Sequence, residues 1–566
     1  MKDLQDDRSF DLPDGYELRD DGIFLQADPE NDNSAPIWLC SPLKVTAVVH
    51  DAHNMRWGRL IVAKNAAGKT HEWVMSAVDI TKVAKISEQL LSRGLKLSSI
   101  VSDQKALSRL LSAWQPAKTV LLTDKVGWAD ATFQTFTLSD GRTVGQKQAI
   151  YAPLDTYFEL KNDGKAGDLD TWKQNVAQRA CGNPVLVAAI SLSFAGPLLR
   201  ILGLNGFGLH LKGQSSTGKT TALSVATSVW GGSDLIGTWR TTENALEGKA
   251  ALANDSLLAL DELGEASAKA ASEAAYMLAN GQGKRRASAR GSAPNPLEWK
   301  VVFLSTGEIS IAEKLAEAGI EQMSGQSVRI LDLTVDGRDY GIFDNLHGEG
   351  RAADFSNGLK RACTESYGVA GPAFAEKLIS YGSEYRQIFS SLLTKYTAHI
   401  LTSENGSRDG INERVATQFA LIALAGDMAT IFGLTGWEKN SALFASTAMF
   451  ALWKKSRLNP LSQGEILRRI EAFVISNASR LTCVGSSPVT DHIGWQNDSC
   501  FMFDREGWAE IHAGLNVTLV AKRAKAFGIL AGADGENLKA KAPAGIPNRP
   551  RLYMVNRSAL ERHNLK

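Results

Sequence analysis

A glycine-rich loop between an apolar run and a helix-forming segment constrains the fold of this chain most. Residues 213–220 match the pattern G-x-x-x-x-G-K-[ST] at every fixed position. Residues 208–211 predict a buried strand before the loop, and residues 221–229 predict a helix after it. In that context loop N–H groups point at phosphates, Lys219 supplies a positive charge and Thr220 holds Mg²⁺. The predicted nucleotide-binding residues are Gly213, Gln214, Ser215, Ser216, Thr217, Gly218, Lys219, Thr220 and Thr221.

A second motif supports the first. Residues 257–260 form an apolar run that ends in Asp261 and Glu262, an arrangement typical of a Walker-B strand. We expect Asp261 to reach Mg²⁺, directly or through water, and Glu262 to orient the attacking water. Such a run is a weak signal alone and a strong one after a complete P-loop. The Glu favours a hydrolysing enzyme, so ATP and Mg²⁺ are the predicted cofactors.

An upstream segment resembles half of a P-loop. In residues 67–70, Ala-Gly-Lys-Thr, the pattern fails because Ala63 stands where the first glycine is required. Strand-forming residues flank the segment on both sides. The sequence therefore predicts a hairpin turn there rather than a phosphate loop.

Composition excludes several classes of protein. The formal net charge is +1, so any attraction to nucleic acid must come from local patches. The five cysteines lack C-x-x-C spacing, which argues against a zinc site or a disulfide framework and favours a reducing cytoplasm. Residues 185–199 are apolar but too short to span a bilayer. We expect a buried helix beside the ATPase sheet, no contact with a membrane and a cytoplasmic location.

The length of 566 residues suggests about three or four domains. Residues 1–165 alternate strand and turn signals around one helical stretch and predict an α+β domain. Residues 166–345 alternate strands with helices and predict an α/β P-loop domain with a parallel sheet. Residues 346–460 are helical and predict a lid. Residues 461–566 predict a winged helix from a helix, turns, two short helices and a hairpin.

Three further residues complete the predicted ATPase site. Ser305 and Thr306 end a later apolar strand, where a hydroxyl can bond the γ-phosphate or its water; we assign Thr306 to this sensor role. Arg329 begins the following strand and is a candidate finger for the nucleotide of a neighbouring subunit. Arg414 opens a long helix of the lid and is a candidate second sensor. The alternatives are an ordinary strand-end hydroxyl for Thr306, a surface salt bridge for Arg329 and solvation on the helix surface for Arg414.

Two basic segments are candidates for nucleic-acid contact. The first is a glycine-flanked insertion between the Walker-B and sensor strands, and its predicted DNA-binding residues are Lys284, Arg285, Arg286 and Arg290. In a ring this position faces the channel, where cations grip phosphates without reading bases; the alternative is a solvated charge run. The second runs from Lys522 to Lys525 and along the C-terminal hairpin, where DNA binding and protein docking are both open.

Together with the Walker motifs, three segments resemble the bacterial and phage proteins of domain of unknown function 927. They are residues 303–308, which include Ser-Thr-Gly-Glu, residues 325–329, Gly-Gln-Ser-Val-Arg, and residues 414–423. The resemblance covers most of the chain. Members occur in phages, plasmids and mobile islands, and some resemble minichromosome-maintenance-type AAA+ helicases.

The resemblance implies a hexameric, ATP-driven DNA helicase for replication of a mobile element, with single-stranded or forked DNA, copies of itself and a primase as partners. It carries the ATPase roles to Lys219, Thr220, Asp261, Glu262, Thr306 and Arg329, and the DNA-contacting role to residues 284–290. Two departures matter: Ser305-Thr306 stands where Asn is usual, and the N-terminal region has no zinc-binding cysteine cluster. The alternative function is a nucleotide-gated AAA+ switch in a phage-defence or signalling assembly.

Overall fold

The computed structural model describes residues 12–26, 35–123, 125–145, 149–151, 164–283, 297–317, 328–382, 385–403, 410–457, 463–489, 491–532 and 537–564. The chain divides into two compact units, Met1–Trp453 and Lys454–Lys566. It is a mixed α/β protein with several sheets. The further subdivision predicted at residues 165 and 345 stays a prediction.

The N-terminal region contains a three-stranded sheet and a five-stranded sheet, with three helices. Its first elements are β1 Tyr16–Arg19, β2 Gly22–Leu25, β3 Ile37–Cys40, β4 Leu43–Asp51, β5 Trp57–Lys64, β6 Thr70–Ser76, α1 Ala77–Ile80, α2 Val83–Leu91, α3 Val101–Ala113 and β7 Thr119–Thr123. Buried and half-buried residues alternate along β4, as a strand with one covered face requires. Strands β5 and β6 pair antiparallel, and the Asn65 N–H donates to the Lys69 carbonyl. The predicted hairpin at the false P-loop is therefore confirmed.

The chain then leaves this sheet and returns to it. The next strands are β8 Gly127–Trp128, β9 Thr135–Thr137, β10 Thr143–Gly145 and β11 Ala149–Tyr151. Strand β11 pairs with β7 in the five-stranded sheet, of order β11-β7-β4-β5-β6. Strands β8 to β10 form their own sheet, whose Trp128 and Phe136 belong to the large core that continues through the rest of the first unit. The Trp128 indole N–H donates to the Pro197 carbonyl at 3.0 Å.

A five-stranded parallel sheet follows, because strands alternate with helices from residue 164 onwards. Its elements are α4 Leu169–Trp172, α5 Gln178–Ala180, α6 Pro184–Ile201, β12 Phe207–Lys212, α7 Lys219–Thr227, β13 Ile236–Thr238, α8 Glu243–Leu252, β14 Leu257–Asp261, α9 Ala268–Asn280, β15 Val302–Gly307, α10 Ile311–Glu317 and β16 Ile330–Thr334. The strand order is β13-β14-β15-β12-β16, with every pair parallel. The carboxyl ends of all five strands therefore meet at one edge.

The helices after this sheet share its hydrophobic core. They are α11 Ala352–Glu365, α12 Ala370–Tyr381, α13 Tyr385–Ser403, α14 Gly410–Ile431 and α15 Ser441–Arg457. Helix α14 packs along α6, and Thr221 of α7 shares a 2.6 Å hydrogen bond with Ser356 of α11. In the described part of the chain, α6 alone is long and apolar enough to cross a membrane, and 89% of it is buried within the fold. This is the buried helix predicted from the sequence.

The described residues of the second unit form a sheet of order β17-β18-β19-β21-β20 with helices packed on it. Its elements are α16 Gln463–Ser476, β17 Leu481–Cys483, β18 Gly494–Gln496, β19 Cys500–Phe503, α17 Arg505–Ile511, α18 Val517–Ala526, β20 Ala540–Lys541, β21 Arg551–Asn556 and α19 Arg557–Asn564. A separate core that includes Ile466, Phe503 and Trp508 holds these elements together.

Candidate nucleotide-binding site

The loop at residues 213–218 connects β12 to the N-terminus of α7. Gly218 has a φ of +96°, and a Cβ there would lie 2.7 Å from the Phe343 ring, so only glycine fits. No side chain caps the start of α7. Within the first turn the Thr221 N–H donates to the Gly218 carbonyl at 2.9 Å, and an anion is the ligand that a helix N-terminus favours.

Lys219 lies folded over this loop. Its Nζ donates to the carbonyl oxygens of Gly213, at 2.8 Å, and Gln214, at 2.6 Å. Burial lowers the pKa of Lys219, and the nearby carboxylates of Glu308, Asp336 and Asp261 oppose that shift. The amine thus lies against the carbonyl oxygens of the loop, with acidic residues around it.

Asp261 joins three elements at the carboxyl edge of the sheet. Its Oδ2 accepts a hydrogen bond from Thr220 Oγ1 at 3.2 Å, at the start of α7. Its Oδ1 accepts from the Thr306 hydroxyl at the end of β15 and from the Glu262 N–H, at 3.0 Å. The predicted Mg²⁺ ligands Thr220 and Asp261 and the predicted sensor Thr306 are therefore in direct contact.

Glu262 begins the turn after β14 and is exposed. Its φ of +58° is in the left-handed region, which few non-glycine residues adopt. A hydrogen bond with Glu265, and the charges of Glu265 and Asp261, raise the pKa of its carboxyl group. A carboxylate with a raised pKa is a better proton acceptor at neutral pH.

Two acidic residues at this site had no role in the sequence analysis. Asp336 follows β16, and its Oδ1 accepts a hydrogen bond from the Gln214 N–H of the loop at 2.8 Å. Glu308 follows β15, next to Gly307, whose carbonyl accepts from Gly213 N–H at 3.1 Å. Both follow strands that neighbour β12, and polar residues at such strand ends form ligand sites in parallel sheets. That rule was the available signal for both.

Ser305 has a different environment from Thr306. Its Oγ is completely buried, lies 2.9 Å from His210 Nδ1 and accepts the Trp239 indole N–H at 2.7 Å. His210 Nε2 lies 2.9 Å from the Ile309 carbonyl. Burial lowers the pKa of His210 to about 4, which keeps the imidazole neutral. Ser305 thus fixes β12, β15 and the segment after β13 to one another.

The two candidate arginines lie away from the loop of their own chain. Arg329 precedes β16, and its guanidinium donates to Asn280 at the end of α9. Its position is the amino edge of the sheet, a strand length from the P-loop. Arg414 is exposed in the first turns of α14. One turn later, Gln418 Nε2 donates to the Val328 carbonyl at 2.7 Å, which places the start of α14 at the same amino edge.

The predicted DNA-binding residues Lys284, Arg285, Arg286 and Arg290 lie outside the described residues. The segments on either side of them are paired antiparallel. The Gly283 N–H donates to the Leu297 carbonyl, and the Trp299 N–H donates to the Gly281 carbonyl. The described residues just before and just after the insertion therefore lie next to each other.

The donor set at the loop suits magnesium. Mg²⁺ prefers oxygen ligands and is commonly held by one or two carboxylates together with substrate phosphates. Thr220 and Asp261 provide a hydroxyl and a carboxylate oxygen 3.2 Å apart. Among the described residues there is no cluster of three or more His, Cys, Asp and Glu that could hold a metal by itself.

Comparisons with known proteins agree with the family recognised from the sequence. Residues 16–297 match the family model described as domain of unknown function (DUF927). A solved structure, "SCCmec type IV Cch - active helicase", has 19% sequence identity and a TM-score of 0.62. The match covers 98% of this chain and 99% of that one. The two proteins therefore share a fold over nearly their whole length.

A second solved structure, "The A form apo structure of NrS-1 C terminal region-CTR", has 9% identity and a TM-score of 0.24. That match covers 69% of this chain and 87% of the other. No curated protein matches the sequence significantly.

Proposed function

The chain belongs to the DUF927 family, and from that premise we propose that it is an ATP-dependent DNA helicase or translocase, assembled as a hexamer, for replication of a phage, plasmid or integrated mobile element. The solved protein that shares its fold is named as an active helicase of SCCmec, a mobile element. DNA, other copies of this chain and a primase are the proposed partners. The proposed location is the cytoplasm.

The contact of Asp261 with both Thr220 and Thr306 carries the proposal. One carboxylate links the P-loop helix to the strand after the Walker-B strand. Strand β15 lies between β12 and β14, so its end is directed into the cleft between the two Walker motifs. This order supports an AAA+ core, in which an inserted strand supplies the sensor residue.

Each residue then has a defined role. The loop N–H groups and Lys219 bind the phosphates of ATP, and Thr220 and Asp261 hold Mg²⁺, which neutralises charge that develops on the transferred phosphoryl group. Glu262 accepts a proton from the attacking water, and Thr306 holds the Asp261 carboxylate in place.

Hydrolysis needs a second subunit in this scheme. Arg329 and the start of α14, with Arg414, lie at the edge of the sheet opposite the P-loop. In this proposal they do not contact the nucleotide of their own chain. In a ring they face the neighbouring subunit's nucleotide, where a finger arginine accelerates hydrolysis by about 10³–10⁵-fold. We propose Arg329 as that finger, Arg414 as a second contact, and the 284–290 insertion as the strand-gripping element.

The test combines ATP turnover with particle mass. We expect single-stranded DNA to raise ATPase activity severalfold and light scattering to give the mass of a ring. Lys219→Ala should abolish turnover because the phosphate-binding cation is lost, and Glu262→Gln should abolish turnover while leaving ATP binding intact. If the particle has the mass of a ring but its ATPase activity does not change with DNA, the helicase proposal is contradicted and the nucleotide-gated switch is favoured.

A further inference from the structure

The two units carry opposite net charge. Residues 454–566 contain 17 Lys and Arg against 10 Asp and Glu, a formal charge of +7 in a chain whose total is +1. From Ile511 to Leu560 the acids are confined to Asp534 and Glu536. A basic domain within a nearly neutral chain is the electrostatic signature of a nucleic-acid partner.

Two consecutive helices of this unit form a helix-turn-helix pair. Helix α17 is held against α18 by the Trp508 indole N–H, which donates to the Val517 carbonyl at 3.1 Å. Helix α18 buries Val520, Ala521 and Ala524 in the core of the unit. Its exposed side carries Thr518 and Lys522, one turn apart. In such pairs the second helix enters the major groove of DNA.

The hairpin of β20 and β21 follows α18 and carries a like-charged pair. Lys541 lies directly opposite Arg551 across the two strands, and both side chains are exposed. Like charges in this position destabilise a sheet. The neighbouring pair, Ala540 and Leu552, is buried and fixes the register. The hairpin therefore keeps two cations side by side at a cost in stability, which a phosphate backbone between them would offset.

We propose that the second unit binds double-stranded DNA, with α18 in the major groove and Lys541 and Arg551 on the phosphates beside it. This is the arrangement of a winged helix. The like-charged pair and the charge of the unit favour DNA over a protein partner of mixed charge. The binding needs no nucleotide, so it is independent of the ATPase proposed for the first unit.

The test uses the full-length protein and a labelled DNA duplex, without ATP. In the variant Lys522→Gln/Lys541→Gln/Arg551→Gln, we expect duplex affinity at low salt to fall at least about tenfold. The log–log salt dependence should flatten by roughly 0.9 for each phosphate that is no longer neutralised. The control variant Arg361→Gln/Lys377→Gln removes exposed cations from the first unit and should bind like the wild type.

Folding is monitored with the double variant Lys541→Gln/Arg551→Gln. Its melting temperature should not fall, because the substitution removes a repulsion. Unchanged duplex affinity and salt slope in the triple variant would overturn the proposal. An equal loss for single strands and duplex would overturn the major-groove placement. The Lys219→Ala protein should bind the duplex normally, so a failed ATPase assignment leaves this result unaffected.

Discussion

At the scale of single residues, Glu262 and its neighbours show how the site sets its own chemistry. Glu262 is the proposed base, and the hydrogen bond and charge of Glu265 raise its pKa. As a base it acts only when deprotonated, so its raised pKa sets the acid limb of the pH–rate profile. Its left-handed backbone comes directly after β14, where the chain leaves the strand.

The variant Glu265→Gln tests this relation. An amide in place of Glu265 removes a negative charge and donates a hydrogen bond to the charged form of Glu262, so the pKa of Glu262 should fall. The acid limb of kcat/KM for ATP should then move to lower pH, with the rate at about pH 8 nearly unchanged. The control Glu273→Gln changes one charge on α9 and should leave the profile in place. An unmoved acid limb would contradict the role of Glu262 as base.

Asp336 puts a negative charge beside the phosphate loop. Asp336→Asn keeps the acceptor for the Gln214 N–H and removes that charge. We expect ATP to bind more tightly by about 0.2–1 kcal/mol, up to about fivefold, and the gain to shrink with added salt. Titration with a fluorescent ATP analogue at two salt concentrations measures it. Asp339→Asn, in the same segment after β16, is the matched control. An equal gain in ATP affinity there would mean that the contact of Asp336 with the phosphate loop does not matter.

Motifs of consecutive residues could be predicted from the sequence, whereas contacts between residues far apart in the chain could not. The P-loop, Asp261 and Glu262 were predicted from consecutive residues with fixed spacing. In the structure Asp261 accepts hydrogen bonds from both Thr220 and Thr306. The contact between Gln214 and Asp336 joins residues far apart in the chain, so no motif with a fixed spacing predicts it. The burial of His210 against Ser305 depends in the same way on which strands become neighbours.

At the scale of elements, strand β15 uses its two faces for different purposes. Side chains of consecutive strand residues point to opposite faces. Ser305 joins the buried hydrogen bonds with His210 and Trp239, whereas Thr306 bonds Asp261. One strand therefore carries side by side a hydroxyl that joins buried hydrogen bonds and the hydroxyl that we propose as the sensor.

Substitution should separate these roles. Ser305→Ala leaves the Trp239 indole without its acceptor and should lower the free energy of unfolding by about 1–3 kcal/mol, with modest loss of ATPase. Thr306→Val removes a hydrogen bond to a charged group, and such a bond contributes about 1.5–3 kcal/mol. If that bond acts in the transition state, its loss lowers the rate of ATP hydrolysis by about 10–150-fold. Denaturant unfolding and ATP turnover measure the two. If Ser305→Ala lowered mainly the ATPase rate and Thr306→Val lowered mainly the stability, the sensor role would belong to Ser305.

At the scale of the whole molecule, the sheet of β8 to β10 and the region of the parallel sheet are joined by direct contacts. The Trp128 N–H donates to Asp255 Oδ2 at 3.0 Å, and the Phe136 ring stacks on Trp230 with centroids 5.5 Å apart. The Asp255 carboxylate is buried and paired with Arg200. Residues 127–145 thus cover part of the core beneath the parallel sheet, although the sequence assigned them to a separate N-terminal domain.

A chain shortened to residues 166–566 should therefore be poorly soluble. It exposes the apolar surfaces that Trp128 and Phe136 cover. The burial of each large apolar side chain contributes about 1.5–3 kcal/mol to stability, and this contribution is lost. A chain of residues 125–566 keeps both side chains and should show a cooperative thermal transition. Expression yield, light scattering and calorimetry compare the two. A monodisperse, cooperatively folding 166–566 chain would contradict the shared core.

The path of the chain between β7 and β11 also bears on how such proteins recombine. The backbone leaves the five-stranded sheet after Thr123, builds three strands on the other core, and returns at Ala149. Consider a recombination event that joins the sequences of two relatives at one point within this stretch. Such an event takes either edge strand β11 from a different relative than the rest of its sheet, or strands β8 to β10 from a different relative than the core they cover. We therefore expect relatives to exchange the N-terminal half and the parallel sheet as one block. The match to one family model, residues 16–297, contains this whole stretch together with strands β12 to β14 of the parallel sheet.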